Sequence, residues 1–383
     1  MINVFQPSLG AEELSAVSDV FESNWLGRGP RTKEFEAQFA EHLGVDPEHV
    51  LFINAATAGL FLATELLGYG PGDEVVLPSA SFVSAANAVA ATGARPVFCD
   101  VDAHTLNPSA AQVERALTPR TKAVLLLHYA GRPGDVAAVA RLCRERGVRL
   151  IEDAACAVSS AVDGVRCGTF GDVGIWSFDA MKTLVTGDGG MIYVRDAELA
   201  RKARRLAYYG LEQASGFAAA KVSDRWWDLD VHEFGRRIIG NDLTAAIGSV
   251  QLRKLPAFVE RRREITAEYD RRLAGLDGVR LPPPLPAGHT SSYYFYWVQL
   301  DPSVRDQVAA DLLAGGVYTT FRYPPLHRVP AYGAVGTELP GAEAAADSTL
   351  LLPLHQGLTE EDVRTVAQTF RAAVGNRLLA TRP

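Results

Sequence analysis

Val173-Gly174-Ile175-Trp176-Ser177-Phe178-Asp179-Ala180-Met181-Lys182, continued by Thr183-Leu184-Val185-Thr186 and Gly187-Asp188-Gly189-Gly190, is the stretch on which the reading of this chain turns. It begins as an apolar run of strand type, becomes polar, and ends in a glycine cluster. Glycines there open backbone conformations closed to other residues and let a ligand approach the main chain. Between the two halves stands one lysine. Taken alone, Lys182 reads as one more solvated surface lysine, since most lysines are exposed. Against apolar walls the same side chain loses the water that favours its ammonium form. Its pKa then falls, and the free amine becomes a nucleophile able to form a Schiff base. The neighbouring segments decide between the two.

Upstream, short apolar runs alternate with helical patterns. Strands are predicted at 50–53, 74–77, 96–100, 123–127 and 148–151, with helices at 57–67, 82–91 and 133–146. Continuous apolar strands joined by helices predict an α/β fold, a mainly parallel sheet covered on both faces in three α/β/α layers. Ligands bind such sheets beyond the carboxyl ends of the strands. Residues 54–57, 78–82, Glu152-Asp153 and the Lys182 segment are therefore expected in one crevice. Before the first strand come helices at 11–23 and 32–43, joined by a loop that carries Trp25 and Arg28. Trp25 reads equally as packing or as a pocket wall.

Downstream, a helix at 197–208 leads into a long loop with Trp226-Trp227, then a helix at 241–255. Pro256 is read as a break before a charged helix at 257–273, and Pro282-Pro283-Pro284 as a stiff connector. A strand at 293–300, a helix at 305–314, a strand-like segment at 317–323 and a helix at 360–373 predict a smaller α/β domain. The expected division is 1–255 and 256–383.

Composition agrees with a two-domain globular protein. The 383 residues exceed one ordinary core, and 48% hydrophobic with 22% charged residues supply a large one. A net charge of −7 argues against a nucleic-acid partner or an anionic membrane surface. The basic runs at 201–205 and 261–263 read as solvated helix faces. Cys99, Cys143, Cys156 and Cys167 show no CxxC pairing, and no metal site is expected. No apolar run approaches a membrane span and no leader is visible at Met1-Ile2-Asn3-Val4, so the expected location is cytoplasmic.

Asp153, 29 residues before Lys182, gives the lysine a partner. Alone it would be a capping or turn residue. Beside a Schiff-base lysine it has a specific use. Pyridoxal phosphate is an electron sink only while its ring nitrogen is protonated, and a neighbouring carboxylate keeps it so. The helix opening at Ala56-Thr57 offers N–H groups and a hydroxyl to a phosphate. Ser177 offers another hydroxyl, and Phe82 could stack on the ring. The combination is far more specific than any member.

On these residues the chain resembles the DegT/StrS family of sugar aminotransferases, fold-type I pyridoxal-phosphate enzymes, over almost its full length. Residues 54–60 resemble N-S-G-T-A-A-L and 72–78 match G-D-E-V-I-V-P. Glu152-Asp153-Ala154-Ala155 matches E-D-A-A. Ser177 to Gly190 matches S-F-x-x-x-K-x-x-x-T-G-E/D-G-G, and 245–252 match A-A-I-G-x-x-Q-L. Tyr323 to His327 matches H-Y-x-P-L-H, with Arg322 in place of the leading His. The resemblance implies an aspartate-aminotransferase-like fold with Lys182 as Schiff-base lysine and general base. It implies Asp153 at the pyridinium, Phe82 on the ring, and Ala56, Thr57 and Ser177 at the phosphate. It implies a homodimer with active sites at the subunit interface, Arg237 of one subunit reaching the other's phosphate. Cys156 stands at the cofactor-binding position where Gln, Glu or His usually meets the ring hydroxyl, and reads as a small buried filler in preference to a redox or covalent group.

The same resemblance bears on substrate. Glutamate is the expected amino donor, with pyridoxamine phosphate as the carrier between halves. The residue count from Lys182 to Gly187 is that of members acting at carbon 4 of a nucleotide-linked sugar or on cyclitols. Members acting at carbon 3 have one more residue. The wording around Lys182 resembles actinomycete antibiotic enzymes that make 4-amino-4,6-dideoxyglucose on a TDP carrier. Trp25, Arg28, Trp226, Trp227, Arg322, Tyr323 and His327 are candidates for the sugar nucleotide, each also readable as packing. A 3-ketosugar or keto-cyclitol is the alternative substrate. A non-catalytic sensing domain is the alternative of another class. Such domains carry an attached DNA-binding domain, for which 383 residues leave no room.

Overall fold

The apolar runs do become one sheet. The computed structural model describes residues 1–212, 224–225, 227–231 and 233–380. Strands β1 (Val50–Ile53), β2 (Glu74–Pro78), β3 (Arg95–Cys99), β4 (Thr121–Leu127), β5 (Arg149–Asp153), β8 (Val173–Ser177) and β9 (Gly190–Val194) pair in the order β1-β9-β8-β5-β4-β2-β3, the short β6 (Ala161–Val162) and β7 (Val165–Arg166) lying outside it. Only β9 runs against the rest, paired antiparallel with β1 and β8. Most of these strands are buried on both faces, as their near-continuous Val, Ile and Leu content requires.

Helices fill the crossovers: α3 (Ala56–Leu66), α4 (Val83–Ala91), α5 (Ala110–Ala116), α6 (Val136–Arg146) and, after β9, α7 (Ala197–Leu206). Two further helices precede β1, α1 (Ala11–Glu22) and α2 (Pro30–Leu43). α2 begins at Gly29 without a side-chain cap. Asp242, far along the chain, supplies one: its Oδ1 accepts from Gly29 N at 2.8 Å, Thr32 N at 2.9 Å and Thr32 Oγ1 at 2.6 Å. Its Oδ2 accepts from Arg31 N at 3.2 Å.

Asp242 opens α8 (Asp242–Leu273), a single helix of 32 residues that carries Pro256 in its interior. The expected break at Pro256, on which the division at 255 was drawn, is thus absent. A proline costs one backbone bond and a local clash, but Leu255, Phe258, Ile265, Tyr269 and Leu273 are buried along both halves and hold the helix through it. The basic run at 261–263 also departs from expectation. Arg261 and Arg263 pair with Glu264 and Glu260 on the surface, but Arg262 is buried. It donates to the carbonyls of Tyr293, Tyr294 and Leu354 and to Gln356 Oε1, and burial lowers its pKa to about 10.

The C-terminal part adds the short β10 (His289–Thr290), β11 (Tyr296–Gln299), α9 (Pro302–Ala314), α10 (Pro340–Ser348), β12 (Thr349–Leu352) and α11 (Glu360–Ala380). β11 and β12 pair antiparallel over a core that includes Ile265, Tyr269 and Leu273 of α8. The strand-like segment at 317–323 makes isolated bridges, Ile2 with Val317 and Thr320 with Leu351, and forms no strand of its own. The first residues of the chain pack here: Tyr318 N donates to Ile2 O and Leu354 N to Val4 O. Among the described residues no helix is long and apolar enough to cross a membrane, and no cluster could hold a metal ion.

Asp242→Ala strips acceptors from three backbone N–H groups and a hydroxyl at once. It should lower stability by about 3 kcal/mol, the scale of a buried charged acceptor lost, with Asp242→Asn recovering part. The urea midpoint reads this; a midpoint unchanged by Asp242→Ala contradicts the capping role.

Candidate active site

β8 carries the chain out of the sheet at Ser177 and β9 returns it at Gly190, paired with Ser177. Phe178 anchors the intervening loop. It is fully buried, with ring centres 5.5 Å from Phe35 and Phe39 and 6.3 Å from Phe52. The loop closes on itself: Phe178 N donates to Gly189 O, Thr186 N to Phe178 O, and Lys182 N to Asp179 O at 2.9 Å. Lys182 is thereby presented inward. Its Nζ lies 4.7 Å from the centre of the Tyr294 ring and 3.9 Å from Cys156 Sγ.

Burial works against the Lys182 ammonium ion, but Cys156, Tyr294 and Asp153 outweigh it, and the pKa is raised. The aromatic face adds to this. In the protein alone, therefore, the lysine is stored charged, opposite to the lowering expected from apolar walls. The cause is the company it keeps rather than its burial.

Asp153 ends β5 and is 3% exposed. Burial raises its pKa against the opposing pull of the Ala155 N–H, which reaches Oδ1 at 3.1 Å, and of Lys182 and His128. Glu152 points to the other face of the strand. It accepts from Gly168 N and Gly171 N at 2.7 Å and meets His128 Nε2 at 2.9 Å. His128 Nδ1 donates to Pro133 O at 3.1 Å. Burial opposes a charge on His128, but Cys167 and Glu152 outweigh it and raise its pKa.

α3 starts at the same edge. Ala55, its N-cap, provides no side-chain cap, and Ala56 and Thr57 line one cavity with Ser177 and Gly189. A Cβ on Gly190 would stand 2.7 Å from Ala56 N and 2.8 Å from Trp176 O, so only glycine lets α3 begin so close to β8. Uncapped first-turn N–H groups and the helix dipole make an anion site. Phe82, N-cap of α4, walls the cavity, its ring 5.4 Å from that of Tyr323. An anion-binding helix end, a buried carboxyl group and an amine in one cavity fit the phosphate, ring nitrogen and aldehyde of pyridoxal phosphate.

The cavity thus brings together Ala56, Thr57, Phe82, Asp153, Ser177, Lys182, Arg322 and Tyr323. Cys156 sits behind Lys182, its Sγ 3.9 Å from Tyr323 Oη. Other candidates lie elsewhere. Arg28 is spent on Glu36, both pairs of atoms at 2.8 Å. His327 is buried between Ser79 Oγ at 2.6 Å and Glu343 Oε1 at 3.1 Å. Trp25 and Trp227 are exposed away from the cavity. Arg237 is exposed and does not line the cavity of its own chain. Trp226 lies outside the described residues. A larger groove of about 740 Å³ between α2, α8 and β10, lined by Gln38, His42, Leu252, Val259 and His289, holds none of the candidates.

Sequence reasoning missed Tyr294 and His128. His128 was within reach, because it follows β4 at the same carboxyl edge as Asp153. Tyr294 comes from the C-terminal part, positioned by its carbonyl on Arg262, and only the folded chain shows that.

The model of the DegT/DnrJ/EryC1/StrS aminotransferase family matches residues 7–371. The chain belongs to that family. It is 63% identical over 383 residues, all of this chain and 99% of the relative, to a dTDP-4-dehydro-2,3,6-trideoxy-D-glucose 4-aminotransferase of Saccharopolyspora spinosa. Among solved structures, the aminotransferase TlmJ from Streptoalloteichus hindustanus is 64% identical with a TM-score of 0.94, covering 98% of this chain and 100% of that one. The PLP-form of a putative sugar aminotransferase, Spr1654 from Streptococcus pneumoniae, is 25% identical with a TM-score of 0.88, covering 97% and 98%. This aminotransferase is a pyridoxal-phosphate-dependent enzyme with the α/β fold of its relatives.

A raised lysine pKa gives cofactor uptake a pH signature. Only the free amine attacks an aldehyde, and its fraction grows with pH up to the folded-state pKa. Uptake of pyridoxal phosphate by the cofactor-free aminotransferase should accelerate by up to about tenfold per pH unit between pH 6 and 9, followed by stopped-flow absorbance. A rate already level across this range, as an amine of lowered pKa gives, contradicts the stored ammonium ion.

Proposed function

We propose that this aminotransferase moves the amino group of L-glutamate to carbon 4 of a dTDP-linked 4-keto-6-deoxyhexose, leaving 2-oxoglutarate and a 4-amino-4,6-dideoxy sugar. Amine transfer is supported above all by one observation: Lys182 Nζ, Asp153 and the uncapped start of α3 meet in one cavity. The 4-keto position is supported by the named activity of the S. spinosa relative and by the count of residues between Lys182 and Gly187.

The residues divide the work. The first turn of α3, with Thr57 and Ser177, would bind the cofactor's phosphate. Asp153 would hold a proton at its ring nitrogen, and Phe82 would keep the ring in place. Pyridoxal phosphate, when bound, supplies an electron sink for the carbanion left after proton loss. Lys182 Nζ removes the α-proton of glutamate and, in the second half, returns a proton to carbon 4 of the sugar. One flexible amine that is both cofactor anchor and base explains why the position holds lysine. Tyr294, 4.7 Å below Nζ, steadies the ammonium form between transfers.

We also assign the working form as a cytoplasmic homodimer. Leu14 and Phe21 of α1 and the following Trp25 and Leu26 are large apolar side chains exposed in the single chain. Arg237 is exposed and does not line its own cavity, which leaves it available to a partner's phosphate.

A second reading concerns the sugar's hydroxyls. The S. spinosa relative is named for a 2,3,6-trideoxy substrate, which favours a sugar lacking oxygens at carbons 2 and 3. Incubation with glutamate and each of dTDP-4-keto-6-deoxyglucose, its 2,3-dideoxy counterpart, a 3-keto isomer and a keto-inositol separates the cases. The expected outcome is a 4-amino sugar and 2-oxoglutarate from a 4-keto substrate, abolished by Lys182→Ala. Turnover of only the 3-keto isomer or the keto-inositol sinks the assignment to carbon 4. No turnover of any, with cofactor bound, sinks the catalytic reading in favour of a sensing role.

A further inference from the structure

Arg322 brings a cation to the mouth of the cavity, and no described carboxylate is paired with it. It stands between α9 and α10, half-buried, and lines the cavity with Lys182, Asp153 and Tyr323. Its guanidinium lies 5.1 Å from the centre of the Phe5 ring, and its Nη2 is 3.5 Å from Met181 Sδ. Among the described residues no carboxylate lies within ion-pairing distance of it. Asp179, on the same cavity wall, is turned to the Met181 N–H at 3.0 Å. An aromatic face holds the side chain, and the thioether takes a single weak hydrogen bond from Nη2, so most of its N–H donors stay available to a ligand. The result is a planar, positioned fork facing a pocket, the geometry that pairs with a carboxylate through two hydrogen bonds.

Its place relative to Lys182 narrows the ligand. Arg322 borders Met181, the residue before Lys182, and its charge acts on Tyr294, whose ring lies under Lys182 Nζ. The cation is therefore beside the point of amine transfer. The amine and α-carboxylate of an amino acid sit on one carbon. The diphosphate of a nucleotide sugar sits on carbon 1, across the ring from carbon 4. A cation next to the reacting amine meets the first and not the second.

We infer that Arg322 binds the α-carboxylate of the amino donor and so confines donors to amino acids. The inference rests on the aminotransfer reading above. Phe5, from the segment that packs the start of the chain against the C-terminal part, is the platform that keeps the guanidinium in place.

The two half-reactions are separable by stopped-flow absorbance on the cofactor-loaded enzyme. In the first, R322Q should raise the half-saturating concentrations of L-glutamate and L-alanine alike by at least about tenfold, and R322K by less. In the second, the ketosugar's half-saturating concentration with R322Q should stay within about twofold of wild type. Both variants should retain the bound-cofactor spectrum. A loss confined to the ketosugar half assigns Arg322 to the diphosphate and overturns the inference. So does a loss for glutamate with alanine unaffected, or no change in either half. A wild-type enzyme inert to both amino acids overturns the aminotransfer reading itself.

Discussion

A carboxyl group buried at the end of a central strand needs a cation in front of it, and the cavity is arranged to supply one. Asp153 is 3% exposed at the carboxyl end of β5, and Lys182, in the loop that follows β8, pulls with His128 against the rise that burial gives its pKa. Lys182 in turn is held charged by Cys156 and Tyr294 first, with Asp153 adding to them. That company sets the resting state of the lysine. It rests as an ammonium ion, and only loss of that proton frees the amine as a nucleophile.

The scaffold pays attention to the other face of the same strand. Glu152 is satisfied by two backbone N–H groups and His128, so a second buried carboxylate does not compete for Lys182. The loop that carries the lysine is pinned by Phe178 in a cluster of four aromatic rings. α8 ties this region to the C-terminal part, with Asp242 capping α2 at one end and Arg262 gripping the Tyr293 and Tyr294 carbonyls further on. Through these contacts the two cores converge on a single amine.

Much of this was legible in the sequence, for a physical reason. Strands buried on both faces are continuous apolar runs, and ligand-binding residues fall at their carboxyl ends, so Asp153, Ser177, Ala56 and Phe82 could be placed in one crevice before the fold was seen. Long-range partners could not. Nothing local marks Glu36 as the partner of Arg28, or Ser79 as that of His327, and both side chains looked free until folding paired them. Pro256 misled because a propensity rule weighs one missing bond, while α8 is held by the apolar side chains it buries along both halves. The direction of the Lys182 shift misled for the same reason: burial was visible in the sequence, but that Cys156 and Tyr294 would face the amine and outweigh it was not.

The central claim is that Lys182, of all the lysines in the chain, carries the cofactor. Borohydride reduction of the pyridoxal-phosphate-loaded enzyme fixes the bond, and peptide mass spectrometry locates it. The account predicts the phosphopyridoxyl mass on the peptide containing Lys182 and on no other. The same mass on any of the other five lysines, with Lys182 unmodified, would contradict it.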